Sequence, residues 1–199
     1  MRTGAVLLAL LAVTAGACAA PRDDNEQTVA SAPATTVVPA TRASTASTGP
    51  ARRPPPGILP VARRQPAPGL HVTAFDGDTV TLEDFRGRPL VVSFFESWCP
   101  ICQAEQPDLS KVAKQFAGRV GFVGVSNHDT VAAGRVYQRR FGIGYPLAND
   151  ASGRTWARWK VPYQPVIVLV DKQGRIAERF DGGTTAGTLR EALTWLLGE

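Results

Sequence analysis

Leu90-Val91-Val92-Ser93-Phe94-Phe95-Glu96-Ser97-Trp98-Cys99-Pro100-Ile101-Cys102 holds the transition on which the fold of this chain turns. Leu90 to Phe95 is a short apolar run suited to a central strand buried on both faces. From Pro100 to Ala117 the residues Ala104, Leu109, Val112, Ala113 and Phe116 recur at helical spacing. Pro100 fits the first turn of that helix, where no N–H is needed. Pro107 falls inside it and predicts a kink. Two cysteines separated by two residues therefore sit where a buried strand becomes a helix. Unpaired N–H groups and the helix dipole favour an anion there. Cys99 is expected to be held partly as thiolate, the attacking species in disulfide exchange. Cys102, one turn inside and better buried, is expected to resolve the mixed disulfide.

A lone pair of this spacing has other readings. Half of a zinc site would need both histidines, His71 and His128, gathered by the fold. A purely structural disulfide across two residues constrains the unfolded chain very little. Copper delivery would lack the usual thioether partners, since Met1 is the only methionine. The redox reading therefore leads. It needs no metal and no cofactor beyond a Cys99–Cys102 disulfide.

Outward from this centre, His71–Phe75 and Thr79–Leu82 flank Asp76-Gly77-Asp78, a hairpin signal. Val120–Val125 and Val166–Val170 read as further buried strands. Asp171-Lys172-Gln173-Gly174 turns the latter into an extended run from Arg175 to Phe180. Helical patterns cover about Thr130–Phe141 and Thr184–Leu197. The order predicts an α/β fold: a mixed central sheet flanked by helices, with an N-terminal β-hairpin extension.

The first 69 residues read differently. Arg2, the apolar run Ala5–Val13 and small residues up to Ala17 describe a secretory signal over 1–17. That run is shorter than the ~20 residues a membrane-spanning helix needs. Ala15-Gly16-Ala17-Cys18 resembles a lipobox, which implies lipidation of Cys18 and a membrane anchor on the outer face of the cell. Plain cleavage after Ala17, giving a soluble secreted protein, is the alternative. Residues 18–69 are rich in Pro, Ala, Thr and Arg and poor in anything to bury, so they read as a disordered tether. Arg42, Arg52, Arg53, Arg63 and Arg64 are taken as solvated charges of that tether. Residues 1–69 carry seven arginines against three acids, whereas 70–199 carry 15 basic and 14 acidic residues. A domain with a net charge of +1 offers no sign of a nucleic-acid partner.

The segment from Phe94 to Pro107 resembles the active-site stretch of TlpA/DsbE-type thioredoxin-like oxidoreductases. Leu82–Leu90 is similar to that family's lead-in, and Trp156-Ala157-Arg158-Trp159-Lys160-Val161-Pro162-Tyr163-Gln164-Pro165 to its cis-proline segment. The pattern is most like actinobacterial DsbE and DsbF, and it extends over about 70–197. The resemblance implies a thioredoxin-like domain at 70–199 with Cys99 as nucleophile and Cys102 as resolving thiol. It also implies a cis Pro165 facing the pair, Gln164 offering backbone hydrogen bonds to a bound peptide, and Trp98 bordering the site. Ser93 stands where thioredoxin has a buried acid, which leaves Glu105, Glu96 or water to move protons at Cys102. Glu105 as a plain solvent-facing acid is the alternative.

The implied partners are exported proteins bearing thiols or disulfides, and an unknown membrane redox partner. Ile101 gives the thiolate no polar neighbour, which argues for an intermediate potential and an oxidase. A dedicated reductase, as in cytochrome c maturation, is the second reading, and a thiol-based metal carrier the third.

Overall fold

The computed structural model describes residues 53–199. The expectations for the signal at 1–17, for Cys18 and for 18–52 lie outside the described residues.

The apolar run becomes strand β3 (Leu90–Phe94), buried at every position. It runs between β4 (Gly121–Ser126), which is parallel to it, and β6 (Val166–Val170), which is antiparallel. All three strands lack a solvent face, so the alternation expected of a half-buried strand is missing from their sequences. The remaining strands are β1 (His71–Ala74), β2 (Thr79–Thr81), β5 (Leu147–Asn149) and β7 (Ile176–Asp181). The complete sheet has the order β2-β1-β5-β4-β3-β6-β7. The β1–β2 hairpin joins it through β5, with Thr73 opposite Asn149 and Ala74 opposite Ala148.

Alternate residues of the central strands feed two cores. Val91, Phe122, Ile167 and Leu169 meet side chains of three helices: α1 (Pro100–Gln115), α2 (Val131–Arg140) and α4 (Ala186–Gly198). Leu109, Val112, Tyr137, Leu189 and Leu193 supply the helical side of that core. Leu90, Val92, Phe94, Val123 and Val168 pack on the opposite face against Trp156 of α3 (Arg154–Arg158) and against Trp159. α1 stays continuous through Pro107. α2 lies so close to the hairpin that a Cβ on Gly134 would meet the Phe75 ring at 2.1 Å. Only glycine fits there.

The tether boundary at residue 69 is corrected. Residues 53–69 are a strap on the outer edge of β7. Leu59 N–H donates to Ala177 O at 2.8 Å, Ile176 N–H to Gln65 O at 2.8 Å, and Ala67 N–H to Gly174 O at 2.9 Å. Ile58 enters the helical-side core. Arg64, expected in solvent, is buried. It donates through Nη1 to Asp171 at 3.2 Å and to Glu199 at 2.6 Å, and through Nε to Leu59 O. A composition poor in large side chains hid this, because one isoleucine and backbone pairing do the anchoring. The edge of β7, otherwise open to pairing with another chain, is thereby covered.

Ile58→Ala tests the corrected boundary. Loss of this buried side chain is expected to cost about 2–4 kcal/mol, read as a lower denaturation midpoint in urea at unchanged slope. A solvated tether would leave the midpoint where it was.

Candidate active site

Phe94 is the last residue of β3, and Phe95 extends the pairing by donating its N–H to Val125 O at 3.2 Å. The chain then turns sharply, with Cys99 N–H donating to Glu96 O at 3.1 Å. Cys99 is the N-cap of α1 in an extended conformation, and Pro100 follows as the first helical residue. The Cys99 sulfur accepts the backbone N–H of Cys102 at 3.3 Å. An orphan donor of the first turn is thus aimed at Sγ, the arrangement that favours negative charge on that sulfur.

Both cysteines carry free thiols. Their burial hardly differs, at 5% exposed for Cys99 and 3% for Cys102, so the expected asymmetry of exposure is small. Chemistry separates them instead. Burial pushes the Cys102 thiol well above its ordinary range; its contact with the Cys99 sulfur and the nearby Glu105 charge add to the rise. Trp98 and Ile101, each 58% exposed, flank the pair with apolar surface. A dithiol so placed can exchange electrons with a cysteine pair presented from solvent.

Two acids brace the turn, and only one was considered from sequence. Glu96 is fully buried and accepts from Ser126 Oγ at 2.8 Å, Asn127 N–H at 3.0 Å and His128 N–H at 3.1 Å. Its carboxylate is engaged in holding the loop after β4, which removes it from the candidates for proton transfer at Cys102. Asp129 in that same loop reaches back, accepting Ser97 N–H at 2.9 Å and Ser97 Oγ–H at 2.6 Å. Gln103 Nε2 then donates to Ser97 O at 2.7 Å. Nothing in the sequence around Asp129 distinguishes it from a loop acid; the partner lies 32 residues away. From α2, the Tyr137 hydroxyl donates to Cys102 O at 3.1 Å while its ring stacks on Phe95 at 5.1 Å.

Glu105 lies on α1, half-buried, and accepts Thr184 N–H at 2.5 Å. Burial pushes its carboxyl up, against the pull of that hydrogen bond. It is therefore not the solvent-facing acid of the plain reading. Pro165 immediately precedes β6, and Val166 is registered opposite Phe94, so Pro165 and the cysteine turn leave the same end of two paired strands. The Gln164–Pro165 bond is cis, and Pro165 O accepts Gly182 N–H at 2.9 Å. Gln164 is half-buried. His128 is a surface residue near Glu96, with Nδ1 3.5 Å from Oε1.

The model of the AhpC/TSA family matches residues 64–179, more than half of the chain. This chain belongs to the AhpC/TSA family. The matched region contains Cys99, Cys102, Glu105 and Pro165, and it begins at Arg64, inside the strap. Among relatives in the family's neighbourhood, the soluble secreted antigen MPT53 of Mycobacterium tuberculosis is 34% identical over 120 residues. The match covers 60% of this chain and 65% of that protein, just under two thirds of its length. The thiol-disulfide oxidoreductase ResA of Bacillus thuringiensis is 26% identical over 128 residues, covering 64% and 74% respectively. The solved structure of MTB DsbF in mixed oxidised and reduced forms superposes with a TM-score of 0.60 at 30% identity. It covers 64% of this chain and 94% of that one. The AhpC/TSA chain described here thus has the thioredoxin-like fold expected from its sequence, with a seven-stranded mixed sheet.

The Glu105 charge raises the proton affinity of Cys102. Replacing it by glutamine is expected to lower the pH at which Cys102 ionises. In a Cys99→Ser background, thiolate absorbance should rise at lower pH for Glu105→Gln than for the parent. An unchanged or upward-shifted titration would separate the two groups.

Proposed function

We propose that this chain is an extracytoplasmic thiol–disulfide oxidoreductase that works as an oxidase, passing the Cys99–Cys102 disulfide to cysteines of exported proteins. The observation that carries the reading is the Cys102 N–H held on the Cys99 sulfur at the mouth of α1, between exposed Trp98 and Ile101.

In the oxidised pair, a substrate thiolate attacks Cys99 Sγ and the Cys99–Cys102 bond breaks. Cys102 leaves as an anion. Because burial opposes charge on that sulfur, it takes up a proton, and Glu105, whose carboxyl burial also pushes up, is the candidate donor. The second substrate thiolate then attacks the substrate sulfur of the mixed disulfide, and Cys99 departs as a thiolate onto the waiting N–H. Two substrate thiols become one disulfide, and two electrons reside in the reduced pair until a membrane partner removes them. Gln164 offers backbone hydrogen bonds to the substrate peptide, Pro165 walls its path, and Trp98 covers its apolar side. No cofactor takes part.

The signal at 1–17 exports the chain and Cys18 takes the lipid that anchors it. The name of the Mycobacterium relative, a soluble secreted antigen, supports the compartment. Among the described residues no helix is long and apolar enough to cross a membrane. Ile101 between the cysteines supplies neither charge nor hydrogen bond, which supports an intermediate potential.

Two measurements test this. Equilibration with glutathione should give a potential between about −270 and about −120 mV, the span from thioredoxin to a strong oxidant. A value below that span makes the chain a reductase. Cys102→Ser should accumulate mixed disulfides through Cys99 when incubated with disulfide-bonded exported proteins, the substrate's second sulfur leaving as a thiolate, and Cys99→Ser should accumulate none. Absence of adducts from both variants overturns the assignment.

A further inference from the structure

The loop that delivers Pro165 begins in an unfavourable conformation. Lys160 has φ +54°, the one positive value outside glycine among the described residues. L side chains avoid this region because Cβ crowds the following carbonyl. Something must hold it there. Lys160 N–H donates to Ala157 O at 3.1 Å and Val161 N–H to Trp156 O at 2.9 Å, closing the end of α3. These bonds end the helix without using the carbonyls of Trp159 and Lys160.

Arg179 of β7 takes both. Its Nη1 donates to Trp159 O at 3.0 Å and its Nη2 to Lys160 O at 3.0 Å, while Nε donates to Asp181 Oδ1 at 2.9 Å. A planar fork is suited to two carbonyls in a fixed relation, and lysine cannot copy it. Asp181 sets the plane of the fork. The other side of the loop is also fixed by the end of β7, through Gly182 N–H on Pro165 O. Between these two clamps lie Val161, Pro162, Tyr163 and Gln164. Tyr163 stands 52% exposed at the tip. Trp159, from which the loop departs, packs its ring 5.7 Å from Phe94, the last residue before the cysteine turn.

We infer that Arg179 is a positioning residue for substrate capture: its fork holds the left-handed turn at Lys160 and so sets where Gln164 and Pro165 meet the peptide. The inference rests on the proposed peptide-binding role of Gln164 and Pro165. Arg179 spends its hydrogen bonds on Trp159 O, Lys160 O and Asp181, and none on the cysteines. Its loss changes how tightly a peptide is held and leaves the chemistry of the pair as it was.

The test follows single-turnover transfer of the disulfide from the oxidised full-length chain to a reduced synthetic peptide with two cysteines, and separately to dithiothreitol. For Arg179→Gln the half-saturating peptide concentration is expected to rise about tenfold, the cost of a lost charge-assisted pair of bonds. The limiting rate and the dithiothreitol reaction stay at the parent values. Lys160→Gly removes the reason for the clamp, because glycine adopts this turn freely. Added to Arg179→Gln, it should bring half-saturation back to within about threefold of the parent. Arg179→Lys keeps the stem and the charge and carries the same test if Arg179→Gln does not fold. Unchanged half-saturation in both Arg179 variants overturns the inference. So does a rise that Lys160→Gly fails to reverse, which would mean Arg179 contacts the peptide directly. Pro165→Ala separates the two levels. If it raises half-saturation and the Arg179 variants do not, the peptide-binding reading stands and the role of Arg179 falls. If Pro165→Ala has no effect, both fall.

Discussion

β3 can move in no direction. Its two edges are hydrogen-bonded to β4 and β6 over five residue pairs each, and its two faces are buried in different cores. A one-residue slip would exchange Val91 with Val92 and Leu90 with its neighbour, reversing every contact with the helices and with Trp156. The chain leaving Phe94 therefore emerges at one place. The cysteine turn, the start of α1 and the approach of Pro165 all inherit that fixed origin. Disulfide exchange needs sulfurs brought into line within a fraction of an ångström, and a strand locked on four sides supplies that accuracy without help from the loops themselves.

The remaining freedom lies in the four residues between Phe94 and Cys99, and it is removed by reciprocal bracing. Glu96 reaches out to the loop after β4, and Asp129 of that loop reaches back to Ser97. Each acid is buried, and each is satisfied by donors from the other segment, so neither carries the penalty of an unpaired buried charge. The brace keeps the Glu96 carboxylate occupied with the loop after β4. At the sulfurs the environment is asymmetric in kind. Cys99 has a donor aimed at it, whereas at Cys102 burial, the Cys99 sulfur and the Glu105 charge together outweigh a hydrogen bond with the Glu96 backbone and oppose the anion. One sulfur is suited to leave or attack as an anion and the other to wait as a thiol.

Much of this was readable in the chain. Leu90–Phe94, Val166–Val170 and the helix from Pro100 announce themselves by composition and spacing. The sequence Trp98-Cys99-Pro100-Ile101-Cys102 at their junction was enough to locate the site. What escaped reading shares a physical cause: its partners are remote and its local signal is weak. β5 has three residues and α3 five, too short for any periodicity to register. Asp129 and Arg179 look like ordinary surface charges until the fold brings Ser97 and the Trp159 carbonyl to them. The strap was hidden by its own composition, since Pro60, Pro66 and Pro68 suggest a solvated chain, yet prolines are compatible with an edge where alternate N–H groups need no partner. Arg64 looked like one more charge in a basic run and is buried between Asp171 and Glu199.

β7 has two duties that its sequence alone does not suggest. As the last strand of the sheet it would present an open row of backbone groups, and the strap covers that edge through Ala177, Ile176 and Gly174. From the same strand Arg179, and just beyond it Gly182, hold the loop that ends in Pro165. An edge strand free to fray would be a poor anchor for that loop, because the terminal strand of a sheet is where local opening is easiest. Pairing its outer edge changes this. With β6 on one side and residues 59–67 on the other, β7 is paired on both edges at its start, around Ile176 and Ala177, a few residues ahead of its clamps on the loop. The segment that looks like mere tether thus braces the start of the strand that holds the loop ending in Pro165, and through Ile58 it also joins the core that buries Cys99 and Cys102.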